Sequence, residues 1–255
     1  MEWFRHSVEV RAAAGAERAL RTAIHAGLPP ETVAEMIFSA ATDHRYLDGG
    51  HSLDFANKAF ELLEHLGWDY AGEVLPSLVP HLVQGQRMEE TSAWRDPIDV
   101  GALLDDADRE LSAAVERGHG RIIGWKDHQN VAEQVLDGTP QDSIALLLRL
   151  VAEGAPLAEL SSAVAYAAAR RLAHFHTSND FFDWDTVHHA FTYANAVDRA
   201  LRRWPSPLLA RGIFDAAMAV YLERFLNVPK QPLPSPLRLS PTQEEVLSSF
   251  DRQGQ

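Results

Sequence analysis

His51-Ser-Leu-Asp-Phe-Ala-Asn57 and His189-Ala-Phe-Thr-Tyr-Ala-Asn195 are two segments of one pattern, each beginning with histidine and ending with Ala-Asn, and they lie 138 residues apart. Each is preceded by a Gly-x-Pro sequence, Gly27-Leu-Pro29 in the first case and Gly154-Ala-Pro156 in the second. A glycine followed two residues later by proline is typical of a loop that leads into a helix. Each half of the chain therefore contains a helix start, an alanine-rich helix, a break and a second helix that begins near a histidine.

This similarity predicts two internally related halves, at about residues 25–85 and 152–226. The second half has 11 additional residues between its two helices, and they include His174 and His176. In such an arrangement, His51 and His189 face each other across a pseudo-twofold axis.

Helical periodicity extends over almost the whole chain, without sustained alternation of apolar and polar residues. We predict an all-α, single-domain helical bundle of about ten helices over residues 1–228, and a proline-rich tail over 229–255 that acts as a surface strap or a linker. Pro76 and Pro80 predict a kink in the fourth helix. The predicted helices are approximately 8–26, 31–45, 52–66, 70–84, 100–117, 128–136, 141–152, 157–173, 185–203 and 207–226, with a loop over 118–126 and a short helical candidate at 242–250.

Charge and composition exclude several classes of function. The sequence has 23 Lys and Arg against 36 Asp and Glu, a net charge of −13, so it lacks the basic surface of a nucleic-acid-binding protein. It has no apolar run of about 18 residues and no apolar signal core, so we expect a cytoplasmic protein that does not span a membrane. The absence of cysteine excludes a disulfide scaffold, thiolate catalysis and any metal site with cysteine ligands.

Twelve histidines are the unusual feature of this composition. Imidazole is a common ligand of transition metals, and helices of a bundle can direct several side chains to one point. We predict a metal site built from the histidines that lie near helix ends, turns and proline kinks, namely His44, His51, His81, His176 and His189. His188 and His189 are adjacent and point about 100° apart on a helix, so only one of them can face the site, and the internal similarity favours His189. His176 is favoured over His174 because it borders the turn.

Further side chains are candidates for roles around this metal. Lys58 follows His51 by two turns on the same helix face, and we predict that it is a base, a counter-ion or a ligand, with a surface lysine as the alternative. Asn57 and Asn195 are predicted to orient the ligand histidines by hydrogen bonding, or else to form an ordinary amide bond between helices. A substrate pocket, or simple core packing, is predicted for four aromatic residues: Phe55, Phe182, Trp184 and Tyr193.

The stretch Asn179-Asp-Phe-Phe-Asp-Trp-Asp-Thr-Val-His188-His189-Ala-Phe-Thr-Tyr-Ala194 resembles the "DFF…H…T" segment of questin oxidase-like proteins. The region from Asp43-His44 to Gly50-His51 is similar to the earlier histidine segment of that family. The family consists of helical, histidine-rich oxygenases that act on polyketide quinones. The resemblance implies a mononuclear non-haem iron centre with histidine ligands from both halves of the chain.

The leading hypothesis is a non-haem iron oxygenase that activates dioxygen to oxidise an apolar, aromatic small molecule. A tethered or separate redox partner is an additional option that this hypothesis does not require. Zinc is the alternative metal and would favour hydrolysis. Two other readings are a non-catalytic helical scaffold and a haem-binding protein. The iron site requires at least three imidazoles around one point, whereas the scaffold predicts that His51 and His189 lie more than about 10 Å apart, well beyond bonding to one ion.

Overall fold

The computed structural model describes residues 1–121, 127–228, 230–233, 242–245 and 247–248. In this part of the chain there are α-helices and short 3₁₀ turns and no strand, which confirms the all-α prediction. The α-helices are α1 Glu2–Glu9, α2 Ala13–His25, α3 Pro30–Thr42, α4 His51–Leu66, α5 Ala71–Val74, α6 Val79–Gln84, α7 Val100–Gly118, α8 His128–Asp137, α9 Pro140–Glu153, α10 Leu157–Ala173, α11 Phe181–Arg203 and α12 Arg211–Leu222.

The accuracy of the predicted helix boundaries varies along the chain. Helix α10 begins after Pro156 and spans the predicted residues 157–173. The predicted first helix is wrong, because the left-handed backbone of Arg11 (φ 56°) separates α1 from α2. Pro76 and Pro80 divide the predicted fourth helix into α5, a 3₁₀ turn over residues 75–78 and α6. A proline lacks the N–H that continues an α-helix, so this break follows from the sequence.

Several predicted segments fall partly outside the described residues. These are the loop over 118–126, the helical candidate at 242–250 and most of the proline-rich tail. The described start of the tail is attached to the bundle, because the Gln231 N–H donates to the His174 carbonyl oxygen over 2.8 Å. None of the described helices has both the length and the apolar character of a membrane-spanning segment.

Helix α12 forms the centre of the bundle. Its residues 212–221 are buried on every side, as expected for a helix whose sequence, GIFDAAMAVY, is apolar all round except for Asp215. Helices α7, α8, α9, α10 and α11 all pack against it. Burial of this helix therefore organises the second half of the chain, and α11 links that half to α4 in the first.

A buried charge cluster crosses this core. Arg45, just after α3, lies 3.4 Å from Asp215 on α12, 2.6 Å from Asp108 and 2.8 Å from Asp105 on α7. Asp215 has no exposed surface, and burial raises the pKa of its carboxyl to about 7 although Arg45 lowers it. The pKa of Arg45 is raised by Asp215 and Asp108, which outweigh its own burial. The cluster fixes the end of α3 to two helices that are distant in the sequence.

The turn that follows Arg45 has an unusual backbone. Tyr46 (φ 46°), Asp48 (φ 58°), Gly49 (φ 61°) and Gly50 (φ 93°) all adopt positive φ, which is costly for residues other than glycine. A Cβ atom on Gly50 would lie 2.9 Å from Tyr46 Cε2 and 3.0 Å from Tyr193 Cβ. The turn is therefore pressed against α11, and α4 begins directly after it at His51.

Replacing Gly50 by alanine tests this close approach. We expect Gly50→Ala to lower the free energy of unfolding by about 1–2 kcal/mol through backbone strain and by about a further 1–3 kcal/mol through overpacking. Gly49→Ala is the matched control, because Gly49 also has positive φ but the nearest atom to its added Cβ is His51 Nδ1 at 4.0 Å. Urea denaturation measures both. Equal losses would contradict the packing of the turn on Tyr193.

Candidate functional site

Two histidines from distant parts of the chain are in contact at the start of α4. His51 is the first residue of α4, and His189 is in the third turn of α11. Their ring centroids are 4.2 Å apart with an interplanar angle of 62°. This contact brings together two of the five predicted ligand histidines, and it forms the candidate site.

The strained turn orients His51. The His51 Nδ1–H donates to the carbonyl oxygen of Asp48 over 2.7 Å, so the ring is held in the tautomer that leaves Nε2 with a free lone pair. A backbone carbonyl bound to the second ring nitrogen is the usual outer partner of a metal-ligating histidine. The positive φ of Asp48 and Gly49 turns this carbonyl back towards the first residue of α4.

The environment of His189 favours its neutral form. Its side chain is 28% exposed, and its Nε2 lies 3.7 Å from Asp185 Oδ1, one turn earlier on α11. Burial lowers the pKa of His189 below 6.5, and the neighbouring His51 lowers it further, whereas Asp185 raises it. Since only neutral imidazole has a lone pair to donate, this environment favours metal binding at pH 7.

A third histidine lies across an aromatic ring from this pair. The Phe55 ring centroid is 5.5 Å from that of His51 and 4.9 Å from that of His81. His81 Nδ1 is 3.7 Å from Asp48 Oδ2, so Asp48 contacts His51 through its backbone and His81 through its side chain. His81 is 45% exposed and Phe55 38%, which places this edge of the site at the protein surface.

Carboxylates surround the histidine pair. Asp54 lies one turn after His51, and burial raises its pKa, although Lys58, His51 and His189 lower it. Asp185 lies on the opposite helix, beside His189. The site therefore combines imidazole and carboxylate donors, which suit iron, zinc or manganese. In the described part of the chain, no three or more of these groups are arranged around one point, so the predicted convergence of five histidines is not formed.

Two of the five predicted ligand histidines have other partners. His44 is buried between two carboxylates: its Nδ1 is 3.0 Å from Glu89 Oε1, and its Nε2 is 2.9 Å from Glu9 Oε2. Because both ring nitrogens face acidic side chains, His44 links α1 to the segment after α6. His176 lies in the loop before α11, where its Nδ1 contacts Ser178 Oγ over 2.6 Å.

The less favoured histidines also bond to the protein. The Nδ1 of His174 is 2.6 Å from the Gln231 carbonyl oxygen, which attaches the start of the tail to the end of α10. The Nδ1 of His188 is 2.6 Å from the Trp184 carbonyl oxygen, one turn earlier on α11. His188 is exposed, whereas its neighbour His189 points to His51, as the internal similarity predicts.

The predicted polar residues Lys58 and Asn57 do not contact the histidine pair. The Lys58 side chain is 57% exposed and forms an ion pair with Glu61 over 2.8 Å. Asn57 is fully buried, accepts a hydrogen bond from Arg203 Nη1 over 2.7 Å and donates to Glu61 over 3.1 Å. Asn57 therefore joins α4 to the end of α11, which is the interhelical alternative. Asn195 is half-buried on α11.

The four predicted pocket aromatics lie in different surroundings. Phe55 is beside His51, and Tyr193 is 1% exposed beneath the turn. Trp184 packs on Phe175 with centroids 5.3 Å apart, and Phe182 is 75% exposed at the start of α11. Of the four, Phe55 alone borders the histidine pair through a ring contact.

The groups that orient the histidine pair are not among the residues predicted from the sequence. The role of the Asp48 carbonyl cannot be predicted from the pattern of side chains, because it depends on the backbone conformation of the turn. The positions of Asp54 and Asp185 beside the histidines could have been predicted from spacing. Asp54 lies three residues after His51, and Asp185 lies four residues before His189. These spacings bring side chains to the same helix face.

No protein-family model, curated protein or solved structure matches this chain. The resemblance to questin oxidase-like proteins therefore stays a prediction from the segments around His51 and His189.

The lowered pKa of His189 gives a pH-dependent prediction. As pH falls below about 6.5, the unfolded chain binds a proton at this position before the folded chain does. The stability associated with neutral His189 is therefore present above that pH and is lost as the pH falls towards the pKa in the folded protein. In an NMR titration of the imidazole protons, we expect His189 to titrate below 6.5.

His51→Gln removes one cause of this shift, so the pKa of His189 should rise. His65→Gln is the control, because His65 is exposed at the far end of α4. An unchanged His189 titration in His51→Gln would contradict the electrostatic coupling of the pair.

Proposed function

We propose that the protein is a metal-dependent oxidoreductase that holds one iron ion at His51 and His189 and activates dioxygen to oxidise an apolar small molecule. The observation that carries the proposal is the ring contact of 4.2 Å between the two histidines, with His51 Nδ1 bonded to the Asp48 carbonyl oxygen. Two imidazole rings in contact would repel each other if both were protonated. As neutral rings, they can bind one cation together.

The donor set of the site favours iron. Two histidines and one carboxylate with open coordination positions form the ligand set of non-haem Fe(II) oxygenases. His51 and His189 supply the imidazoles, and Asp185 supplies a carboxylate 3.7 Å from His189 Nε2. Two neighbouring ligands with bonds of about 2.1 Å to one ion are about 3.0 Å apart, so a small side-chain rotation brings Asp185 into place.

The surroundings of the pair suit an apolar substrate that approaches from solvent. Phe55 is 38% exposed and lies against both His51 and His81, so it offers an apolar surface next to the proposed metal. His81 and Asp48 border the same edge. An aromatic substrate would stack on Phe55, and a separate redox partner would supply electrons beyond those taken from the substrate.

The scaffold alternative predicts a separation of more than about 10 Å between His51 and His189, the range in which no ion could join them. The ring-centroid distance of 4.2 Å is shorter than that separation. The three converging imidazoles that the iron hypothesis requires are not found among the described residues, so metal binding depends on the side-chain rotation of Asp185. For haem, no observation among the described residues favours axial ligation over the two-histidine, one-carboxylate site. Both iron and zinc accept this donor set, so an experiment is needed to distinguish them.

Metal binding is tested by anaerobic titration with Fe(II), followed by desalting and elemental analysis. We expect about one iron per chain in the wild-type protein, and none in His51→Ala/His189→Ala, because a site that loses two of three protein ligands cannot hold the ion. His188→Ala is the matched control, since it removes an exposed histidine adjacent to His189. Retention of iron by the double variant, or loss in the control, would contradict the assignment. Stoichiometric zinc with no iron would contradict the proposal that the protein is an oxidoreductase.

The carboxylate ligand gives a separate prediction. Asp185→Asn should weaken metal affinity by at least about tenfold, because an amide is a poorer ligand for Fe(II) than a carboxylate. Asp54→Asn should have a smaller effect, because Asp54 acts on the pair through its charge. Competition with a coloured chelator measures both affinities. A larger loss in Asp54→Asn would move the ligand role from α11 to α4.

A further inference from the structure

A cavity of about 310 Å³ lies between the start of α3 and the loop that follows α11. Its lining includes Glu31, Glu35 and Phe38 from α3, and Trp204 and Ser206 from the loop. Small-molecule sites have volumes of about 300–1,000 Å³, so this cavity can enclose a small ligand. The lining combines carboxylates with aromatic rings.

The cavity is separate from the histidine pair. Arg203, the last residue of α11, is one of its lining residues and lies 14 residues after His189 on the same helix. An α-helix of that length spans roughly 21 Å. A ligand in the cavity therefore does not contact a metal ion at the histidine pair.

The aromatic wall of the cavity is preformed. Trp204 packs edge to face on Phe60, with ring centroids 4.7 Å apart, and its ring centroid is 6.1 Å from that of Phe38. These contacts hold the indole between α3 and α4. Pro205 and Pro207 follow it, and their rings restrict the backbone of the loop. Because this wall is already ordered, a ligand that packs on the indole loses little free energy to reorganisation.

One side of the cavity is negatively charged. Glu31 and Glu35 lie four residues apart on α3, so their side chains share one helix face. The Ser206 hydroxyl donates to Glu35 Oε1 over 3.3 Å, which orients that carboxylate. Neither glutamate forms an ion pair with a cationic side chain in the part of the chain that the structure describes. Two carboxylates without a counter-charge attract a cation to the cavity.

The positive charge of Arg203, which also lines the cavity, is already paired. Its Nε donates to Glu64 Oε1 over 2.5 Å, its Nη1 to Asn57 Oδ1 over 2.7 Å, and its Nη2 to Glu61 Oε1 over 3.3 Å. Two carboxylates outside the lining therefore offset this guanidinium. The two glutamates of α3 leave the cavity with a net negative charge.

We propose that this cavity binds a small organic cation, namely a primary amine attached to an apolar or aromatic body. The ammonium group donates hydrogen bonds to Glu31 and Glu35, and the body packs on the indole of Trp204. A cation near the face of a tryptophan ring gains a further electrostatic attraction. The same carboxylates repel anionic ligands. This inference goes beyond the proposed oxidoreductase activity and does not depend on it.

The preference for charge is tested in the wild-type protein with phenethylamine and with phenethyl alcohol, which has the same body without the charge. A proton–nitrogen NMR titration follows the indole N–H of Trp204, which is the signal missing from Trp204→Phe. We expect a saturable shift with the amine and at least about tenfold weaker binding of the alcohol, because hydrogen bonds to charged groups are the stronger ones. No shift at Trp204, or equal affinities for the two compounds, would overturn the proposal.

The carboxylates are tested by Glu31→Gln/Glu35→Gln, which keeps the shape of both side chains and removes their charge. We expect this variant to bind phenethylamine at least about tenfold more weakly and phenethyl alcohol with unchanged affinity. Glu73→Gln/Glu90→Gln is the matched control, since it removes two charges at exposed glutamates that do not line the cavity. An equal loss of affinity in the control would contradict the site, because the net charge of the protein would then explain it.

A further variant distinguishes failure of this proposal from failure of the proposed function. His51→Ala/His189→Ala should bind phenethylamine as tightly as the wild-type protein does, because the cavity lies at the other end of α11. Unchanged amine binding in protein that holds no iron would leave the cavity assignment intact. Loss of amine binding in this variant would contradict the separation of the two sites.

Discussion

Arg45 extends from the end of α3 to Asp215 in the middle of the buried helix α12, and the rest of the architecture depends on this buried ion pair. Its guanidinium also contacts Asp105 and Asp108 on α7. A single unpaired charge at Asp215 would be expensive inside an apolar core, and removal of one partner of a buried pair typically costs about 3–5 kcal/mol. The pair therefore fixes where the chain leaves α3, and the position of the following turn is determined by it.

From this fixed point the chain reverses through backbone conformations that most residues avoid. The turn from Tyr46 to Gly50 is held in place by Arg45 on one side and by Tyr193 on the other. Such strain persists where the surroundings determine it, and it is often found at functional sites. Here it aims the Asp48 carbonyl at His51 and brings His51 against His189. The same packing places Tyr193 between the histidine pair and Asp215, so the core and the candidate site share their residues.

The sequence predicts those features that depend on periodicity and repetition. The position of α10 follows from the Gly154-Ala-Pro156 sequence before it, and the pairing of His51 with His189 follows from the similarity of the two segments. The roles of His44 and Lys58 could not be predicted, because spacing along a helix gives the angle between side chains but not the neighbours that they meet. His44 meets Glu9 and Glu89, which lie 35 and 45 residues away in the sequence. The Arg45–Asp215 pair has no local signal, since 170 residues separate its members.

We propose that His51 and His189 hold one metal ion. Anomalous diffraction at the iron edge, from crystals loaded with Fe(II) without oxygen, tests it most directly. We predict one strong peak at a bonding distance of about 2.0–2.2 Å from His51 Nε2 and from a ring nitrogen of His189, judged by metal–nitrogen bond lengths. A peak between His44 and its two glutamates, or no peak near either histidine of the pair, would contradict it.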